Sequence, residues 1–273
     1  MAASIDLGSL RGLVIDIDGT LFLGSRSLPG IRDFFGFLDR ENIRYVVATN
    51  NTKSPRTYME KFKAAKIDIG EHHILTCATA TADWLEGHFD RASRVYVIGQ
   101  DDLKEEIRSR GFALVQRREQ TADLVVVGGD FSLDYEKLKN SILHVQDGAR
   151  LIGTNPDLLI PTEEGLVPEA GTTLAAIGAA TGIRPRIIGK PEPVLFDMAV
   201  ARMGLATGEV AMVGDRLETD ILGGKQAGLA TILLETGVDN RGTVRLKGIR
   251  PDLICRNLVE LRKKWEEILH PQV

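Results

Sequence analysis

Four places in this sequence put charged or hydroxyl side chains directly behind a short apolar run. Leu13-Val14-Ile15 leads into Asp16-Ile17-Asp18-Gly19-Thr20, and Tyr45-Val46-Val47-Ala48 leads into Thr49-Asn50-Asn51. Ile187-Ile188-Gly189 leads into Lys190, and Val210-Ala211-Met212-Val213 leads into Gly214-Asp215, with Asp220 shortly after. Runs that are apolar throughout read as strands covered on both faces, and in open α/β sheets ligands bind beyond the carboxyl ends of such strands. If the first strand continues through Asp18, the Asp16 and Asp18 carboxylates fall on one side of it, close enough to share a substrate or a cation. Gly19 then lets the backbone turn sharply beside whatever they hold. Desolvated carboxylates repel each other, so a stable site needs Lys, Arg or a metal among them. Mg²⁺ fits, because it takes a few protein oxygens and fills its octahedron with water and phosphate. A D-x-D by itself caps a helix or shapes a turn; the joint occurrence of four such strand ends in one chain order points to a site.

The elements that must position these residues are legible as alternating patterns. Ser54-Pro55 supplies an N-cap and a first-turn proline ahead of Tyr58, Met59 and Phe62 on an amphipathic stretch. Pro193 opens a second helix through Met203 with Gly204 as its stop, and Ile221 to Ala227 ends at Gly228 in the same way. Strand and helix alternate, which predicts an α/β fold: a Rossmann-like, doubly wound, mostly parallel sheet with helices on both faces. Far more chain separates Asn51 from Lys190 than one crossover needs, so an inserted domain is expected. Within it, Arg94–Ile98, Leu124–Val127 and Leu151–Gly153 read as strands, and Asp102–Arg110, Tyr135–Val145 and Thr173–Ala180 as helices. The resulting division is a discontinuous core of residues 1–78 and 184–273 and a smaller α/β cap of residues 79–183. The 28 glycines among 273 residues exceed the usual ~7%, and many mark where an apolar run yields to a loop.

Composition removes other classes. The chain is 43% hydrophobic and 26% charged, within the globular range. Its 34 basic and 38 acidic residues leave a net charge of −4, which argues against a broad electrostatic grip on nucleic acid or anionic lipid. Cys77 and Cys255 are far apart and outside any metal-ligand spacing, as expected of free thiols in a reducing cytoplasm. The first residues lack a basic or apolar leader pattern, and no stretch is apolar enough to span a bilayer, so a cytoplasmic protein without membrane contact is expected. His72, His73, His88, His144 and His270 are scattered and read as surface or packing residues. Gly128-Gly129-Asp130 and Gly223-Gly224-Lys225 are incomplete as phosphate-binding loops and suit turns and helix packing. Leu261–Leu269 reads as a mixed-charge amphipathic helix.

In combination the four segments strongly resemble the motifs of the haloacid dehalogenase superfamily of phosphohydrolases. Asp16-Ile17-Asp18-Gly19-Thr20-Leu21 resembles its first motif, Thr49-Asn50-Asn51 its second, Lys190-Pro191 its third and Gly214-Asp215-Arg216-Leu217-Glu218-Thr219-Asp220-Ile221 its fourth. The insertion between the second and third motifs is similar to the large α/β cap of subfamily IIA, the NagD-like or 4-nitrophenylphosphatase-like group, as is Gly153-Thr154-Asn155-Pro156-Asp157 within it. The match departs at Val167-Pro168-Glu169-Ala170-Gly171, where the group has Pro-Gly; this bears on cap specificity and leaves the core chemistry intact.

The resemblance implies a Mg²⁺-dependent phosphomonoesterase. Asp16 would be the nucleophile and Asp18 the general acid and then base. Asp16, the Asp18 carbonyl and Asp215 would hold the metal. Asp18, Gly19, Thr49, Asn50, Asn51 and Lys190 would surround the phosphoryl group, Thr49 through its hydroxyl and Asn50 through its backbone N–H. Asp220 would act from behind, orienting Lys190 or a metal-bound water. Substrates of the group are small soluble phosphate esters: nucleotides, sugar phosphates, phosphoglycolate or pyridoxal phosphate, with Asn155, Asp157, Thr162 and Glu169 as expected cap contacts. A homodimer through the cap is the remaining partner the resemblance allows. A phosphotransferase or mutase would use the same aspartyl-phosphate, and a silent regulatory module would have replaced one of Asp16, Asp18, Lys190 or Asp215. Hydrolytic dehalogenation is disfavoured, since it needs neither a second carboxylate nor a metal.

Overall fold

Short β-branched runs and glycine-stopped helices alternate along residues 5–271, which the computed structural model describes. The chain divides into two compact units: the core runs up to Thr49, over Pro55–Leu75 and from Lys190 on, and the second unit holds Asn50–Ser54 and Thr76–Gly189. The first part of the chain forms β1 (Gly12–Ile15), the hairpin β2 (Phe22–Leu23) and β3 (Arg26–Ser27), α1 (Ile31–Arg40), β4 (Arg44–Thr49), α2 (Pro55–Ala64) and β5 (Ile74–Thr76). The middle forms α3 (Cys77–His88), β6 (Arg94–Ile98), α4 (Asp101–Ser109), β7 (Ala113–Val115), β8 (Leu124–Val127) and α5 (Tyr135–Gln146). It continues with β9 (Arg150–Gly153), β10 (Leu159–Thr162), β11 (Gly165–Pro168), α6 (Ala170–Thr181) and β12 (Arg186–Ile187). The last part forms α7 (Pro193–Met203), β13 (Val210–Gly214), α8 (Leu222–Gln226), β14 (Ala230–Leu234), α9 (Arg241–Lys247), β15 (Leu253–Cys255) and α10 (Leu258–Leu269).

The core sheet has the order β15-β14-β13-β1-β4-β5, and β1 pairs in parallel with both β13 and β4. Both of its faces are buried, with period two. Leu13 and Ile15, Tyr45 and Val47, and Ala211 and Val213 pack into one cluster with α1, α2 and α10. There Phe22 and Phe35 meet Phe62 edge-on, and Trp265 of α10 meets Phe37. The intervening Val14, Val46 and Met212 are equally buried, on the face served by α7 and α8. Each such side chain contributes about 1.5–3 kcal/mol by leaving water, which is why these strands are apolar at every position. The strand order runs outward in opposite directions from β1 and β13, so the topological switch point lies at their carboxyl ends, with Ile15 beside Val213. α7 begins at Pro193 and stops at Gly204 in the left-handed conformation, as its sequence predicts. The helix expected over Ile221–Ala227 is α8, Leu222–Gln226, with Gly228 left-handed after it, and a π-helical turn, Leu217–Ile221, precedes it.

The second unit has its own parallel sheet, ordered β12-β9-β8-β6-β7, and an antiparallel hairpin, β10-β11. One expectation is corrected here. The run Ile187-Ile188 is not a core strand: β12 pairs with β9, Arg186 beside Ile152, and the pairing continues through Ile188 N–H to Gly153 O and Gly189 N–H to Thr154 O. A two-residue edge strand carries no periodicity that could reveal which sheet it joins. The same contacts place residues 184–189 with the second unit, whereas the sequence division put them in the core. Among the described residues no helix is long and apolar enough to cross a membrane.

Candidate active site

Asp16 leaves the carboxyl end of β1 and Asp215 that of β13, and parallel pairing of the two strands brings their ends together. Lys190, the first residue of the returning core segment, sends its ammonium between them. Its Nζ lies 2.5 Å from Asp16 Oδ1, 2.8 Å from Asp220 Oδ1 and 3.2 Å from the Ala48 carbonyl oxygen. Asp220, inside the π-helical turn, also accepts the Arg216 N–H at 3.0 Å, so its carboxylate is held from both sides. Asp215 accepts the Val238 N–H at 2.7 Å and lies 3.4 Å from the Thr20 hydroxyl. Gly19 sits at φ +89°, where a Cβ would also overlap the Asp215 carboxylate, so both backbone and space demand glycine. The Gly19 carbonyl accepts the Thr236 hydroxyl at 2.7 Å.

Asp16, Lys190, Asp215 and Asp220 are all buried, and three carboxylates face one ammonium. Burial pushes the Asp16 carboxyl well above its ordinary value, Lys190 pulls it back, and Asp220 and Asp215 push it up again. Burial and the Asp220 charge raise Asp215 to about 6. Burial works against the Lys190 charge, but Asp16 and Asp220 outweigh it and hold the ammonium protonated. The excess negative charge is what a divalent cation would neutralise. One oxygen each of Asp16, Asp215 and Asp220 lies within 4.8 Å of the others, a hard, all-oxygen donor set that fits Mg²⁺. Each of the three also serves the protein: Asp16 and Asp220 pair with Lys190, and Asp215 accepts the Val238 N–H.

Asp18 departs from its expectation. β1 ends at Ile15, the ladder reaches only one residue further through the Asp16 N–H to Val213 O, and the chain then turns at Gly19. The two carboxylates therefore do not share one side of a strand. Asp18 is not among the clustered carboxylates: its side chain is about half exposed (53%) and pairs with Lys61 of α2 at 3.0 Å. Lys61 Nζ also lies 4.6 Å from the Phe22 ring centroid. Any metal contact from Asp18 falls to its carbonyl, as the sequence expectation already has it. No spacing could have found Lys61, because only the packing of α2 brings it to the loop after β1.

Thr49 is buried at the end of β4. Asn50 and Asn51 belong to the second unit. There Asn50 Nδ2 donates to Asp157 Oδ2 at 2.9 Å, and Asn155 Nδ2 donates to the Asn50 carbonyl at 3.0 Å. Asn51 accepts the Cys77 N–H at 3.1 Å through its carbonyl and the Lys53 N–H at 2.9 Å through its side chain. Among the expected cap contacts, Asn155 and Glu169 are buried within their own unit, and only Thr162, on the β10-β11 hairpin, is exposed. Glu169 accepts from Asn155 at 3.4 Å, and its burial lifts its carboxyl above the ordinary range.

The chain is similar to known proteins along nearly its whole length. Residues 13–113 match the family described as haloacid dehalogenase-like hydrolase, and residues 187–261 the family described as HAD-hydrolase-like. The chain is 38% identical over 258 residues to the acid sugar phosphatase of Staphylococcus aureus strain USA300, spanning 94% of this chain and 98% of that one. Among solved structures it resembles 4-nitrophenylphosphatase from Thermotoga maritima, with a TM-score of 0.88, 35% identity, and 94% and 98% of the two chains covered. It also resembles NagD from E. coli K-12, with a TM-score of 0.84, 31% identity, and 92% and 98% covered. With matches of this identity along nearly its whole length, and the four motifs in order, the chain belongs to the haloacid dehalogenase-like hydrolases, on their NagD-like, subfamily IIA branch of phosphatases.

Proposed function

We propose that this phosphatase hydrolyses small soluble phosphomonoesters, sugar phosphates foremost, through a phosphoaspartate on Asp16. The observation that carries the reading is the buried Lys190 ammonium, tied to Asp16 and Asp220 beside Asp215. It combines a carboxylate nucleophile with fixed positive charge for the transferring group at the switch point of an open parallel sheet. Asp16 attacks phosphorus and the ester P–O bond breaks. Asp18 gives its proton to the leaving oxygen. Asp18, now a carboxylate, takes a proton from the water that attacks the phosphoaspartate, and Asp16 is regenerated as phosphate leaves. Its half-exposed position beyond the cluster suits a group that must meet both the leaving oxygen and water. The Thr49 hydroxyl and the N–H groups at Asn50 and Asn51 hold phosphoryl oxygens beside Gly19, whose own N–H is taken by the Phe22 carbonyl, and Lys190 neutralises charge as it shifts. Asp220 keeps that lysine in place.

Mg²⁺, held by Asp16, Asp215 and the Asp18 carbonyl, would offset the repulsion between an anionic nucleophile and an anionic ester. The oxygen-only donor set and its uncompensated charge support that assignment. Sugar phosphates come first because of the acid sugar phosphatase relative, and 4-nitrophenyl phosphate is the convenient probe because of the Thermotoga neighbour. Cys77 and Cys255 are buried and form no disulfide, which supports a cytoplasmic setting. The test is phosphate release from a panel of esters with and without Mg²⁺, with Asp16→Asn as control. Activity is expected only with the cation and only in the wild type; metal-independent release, or full activity in Asp16→Asn, overturns the mechanism.

A further inference from the structure

The loop after β9, Thr154-Asn155-Pro156-Asp157, holds two segments that continue directly into the phosphate-handling residues. Asn50, which follows Thr49, gives its amide to Asp157 Oδ2 at 2.9 Å, and its carbonyl receives Asn155 Nδ2 at 3.0 Å. Its own Oδ1 lies 3.6 Å from the Cys77 thiol. Gly189, which precedes Lys190, gives its N–H to the Thr154 carbonyl at 2.8 Å. A Cβ at Gly189 would lie 2.6 Å from both Cys77 Sγ and Thr154 O and 2.7 Å from Asn50 Oδ1, so only glycine lets these segments approach. The loop is itself fixed: Asp157 N–H bonds Asn155 Oδ1 at 3.0 Å and Gly171 N–H bonds the Asp157 carbonyl at 2.9 Å. Thr154 and Asn155 are essentially inaccessible.

We propose that Asp157 and Asn155 are positioning residues for phosphate rather than contacts to the organic part of the substrate. Asp157 anchors the side chain of Asn50, the residue that carries the Asn50 N–H, and Asn155 holds the Asn50 carbonyl, which shares a peptide plane with the Asn51 N–H. The proposal rests on the reading that these two N–H groups bind phosphoryl oxygens. A charge-assisted hydrogen bond to a half-buried amide holds a backbone that would otherwise sample other conformations, so its loss should weaken phosphate capture whatever ester is attached. A residue touching the organic group would behave in the opposite way.

Inorganic phosphate, which has no organic group, separates the two. Its Kd is measured by calorimetry in the presence of Mg²⁺ for the wild type, Asp157→Ala, Asp157→Asn, Asn50→Ala and the Asn50→Ala/Asp157→Ala double variant, alongside KM and kcat for a sugar phosphate and 4-nitrophenyl phosphate. Asp157→Ala and Asn50→Ala should each weaken phosphate about tenfold, the scale of one such hydrogen bond, and raise KM on both esters by the same factor, with kcat changing less. The double variant should be no worse than either single one. Asp157→Asn, whose amide oxygen can still accept from Asn50, should stay near wild type. An unchanged phosphate Kd in Asn50→Ala, a KM effect confined to one ester, or additive losses in the double variant overturns the proposal. If Asp157→Ala fails to fold, Asn50→Ala and Asp157→Asn decide it. A wild type that binds phosphate but releases none from any ester refutes the phosphatase reading, while the Kd series still judges this one.

Discussion

Replacing Lys190 by methionine keeps the buried stem and removes only the ammonium. In the native chain that ammonium lies 2.5 Å from Asp16 and 2.8 Å from Asp220, with Asp215 in the same cluster, and it is nearly inaccessible to solvent. Without it, three buried carboxylates face one another with no protein cation among them. Removing one partner of a buried pair costs about 3–5 kcal/mol, a large share of the roughly 5–15 kcal/mol that stabilises a typical domain. With a urea m-value of about 3 kcal/mol/M, that lowers the first unfolding midpoint of Lys190→Met by about 1–2 M at pH 7 in EDTA. Two further measurements tie the loss to charge rather than to packing. Asp220→Asn added to Lys190→Met should recover part of the stability and none of the activity. Mg²⁺ in excess should stabilise Lys190→Met more than the wild type, because the cation supplies the missing positive charge. Phosphatase turnover should fall by about 10²–10³, the scale of removing one preorganised charge-stabilising donor. A Lys190→Met midpoint equal to wild type in EDTA, or equal stabilisation of both proteins by Mg²⁺, would refute the view that this lysine neutralises the cluster.

Asp18→Asn should slow phosphoryl transfer from alkyl phosphates far more than from 4-nitrophenyl phosphate, whose phenolate leaves without protonation; equal losses in the burst phase on both esters would contradict an acid role. Glu169→Gln tests the buried cap carboxyl. Burial raises its pKa in the fold, so it favours folding while protonated, below the ordinary glutamate range, and that contribution is lost as pH rises through the raised value. The glutamine variant should therefore melt above wild type at pH 8 and together with it at pH 4; a lower melting temperature at pH 8 would show that the ionised form is the stabilising one.

The residues that could do chemistry stood out before any coordinates. A strand buried on both faces is apolar at every position, so the polar residues that interrupt it at Asp16, Thr49 and Asp215 stand out, and helix stops such as Gly204 follow from the left-handed conformation only glycine adopts easily. Order along the chain also disclosed that a second domain interrupts the first. Spacing could not say which sheet a two-residue edge strand would join, so Lys190 read as the end of a core strand when β12 belongs to the other unit. Nor could it give the direction of Asp18, which depends on where the backbone turns at Gly19 and on the packing that brings Lys61 alongside. The roles of Asn155 and Glu169 were obscured for a similar reason: a polar residue in a loop looks the same in sequence whether it faces a ligand or is buried against its own chain. Residue types and their order determined the chemistry this chain can do. Tertiary packing alone decided which charges neutralise one another, because that depends on distances of a few ångströms between residues as far apart in sequence as Asp16 and Asp220.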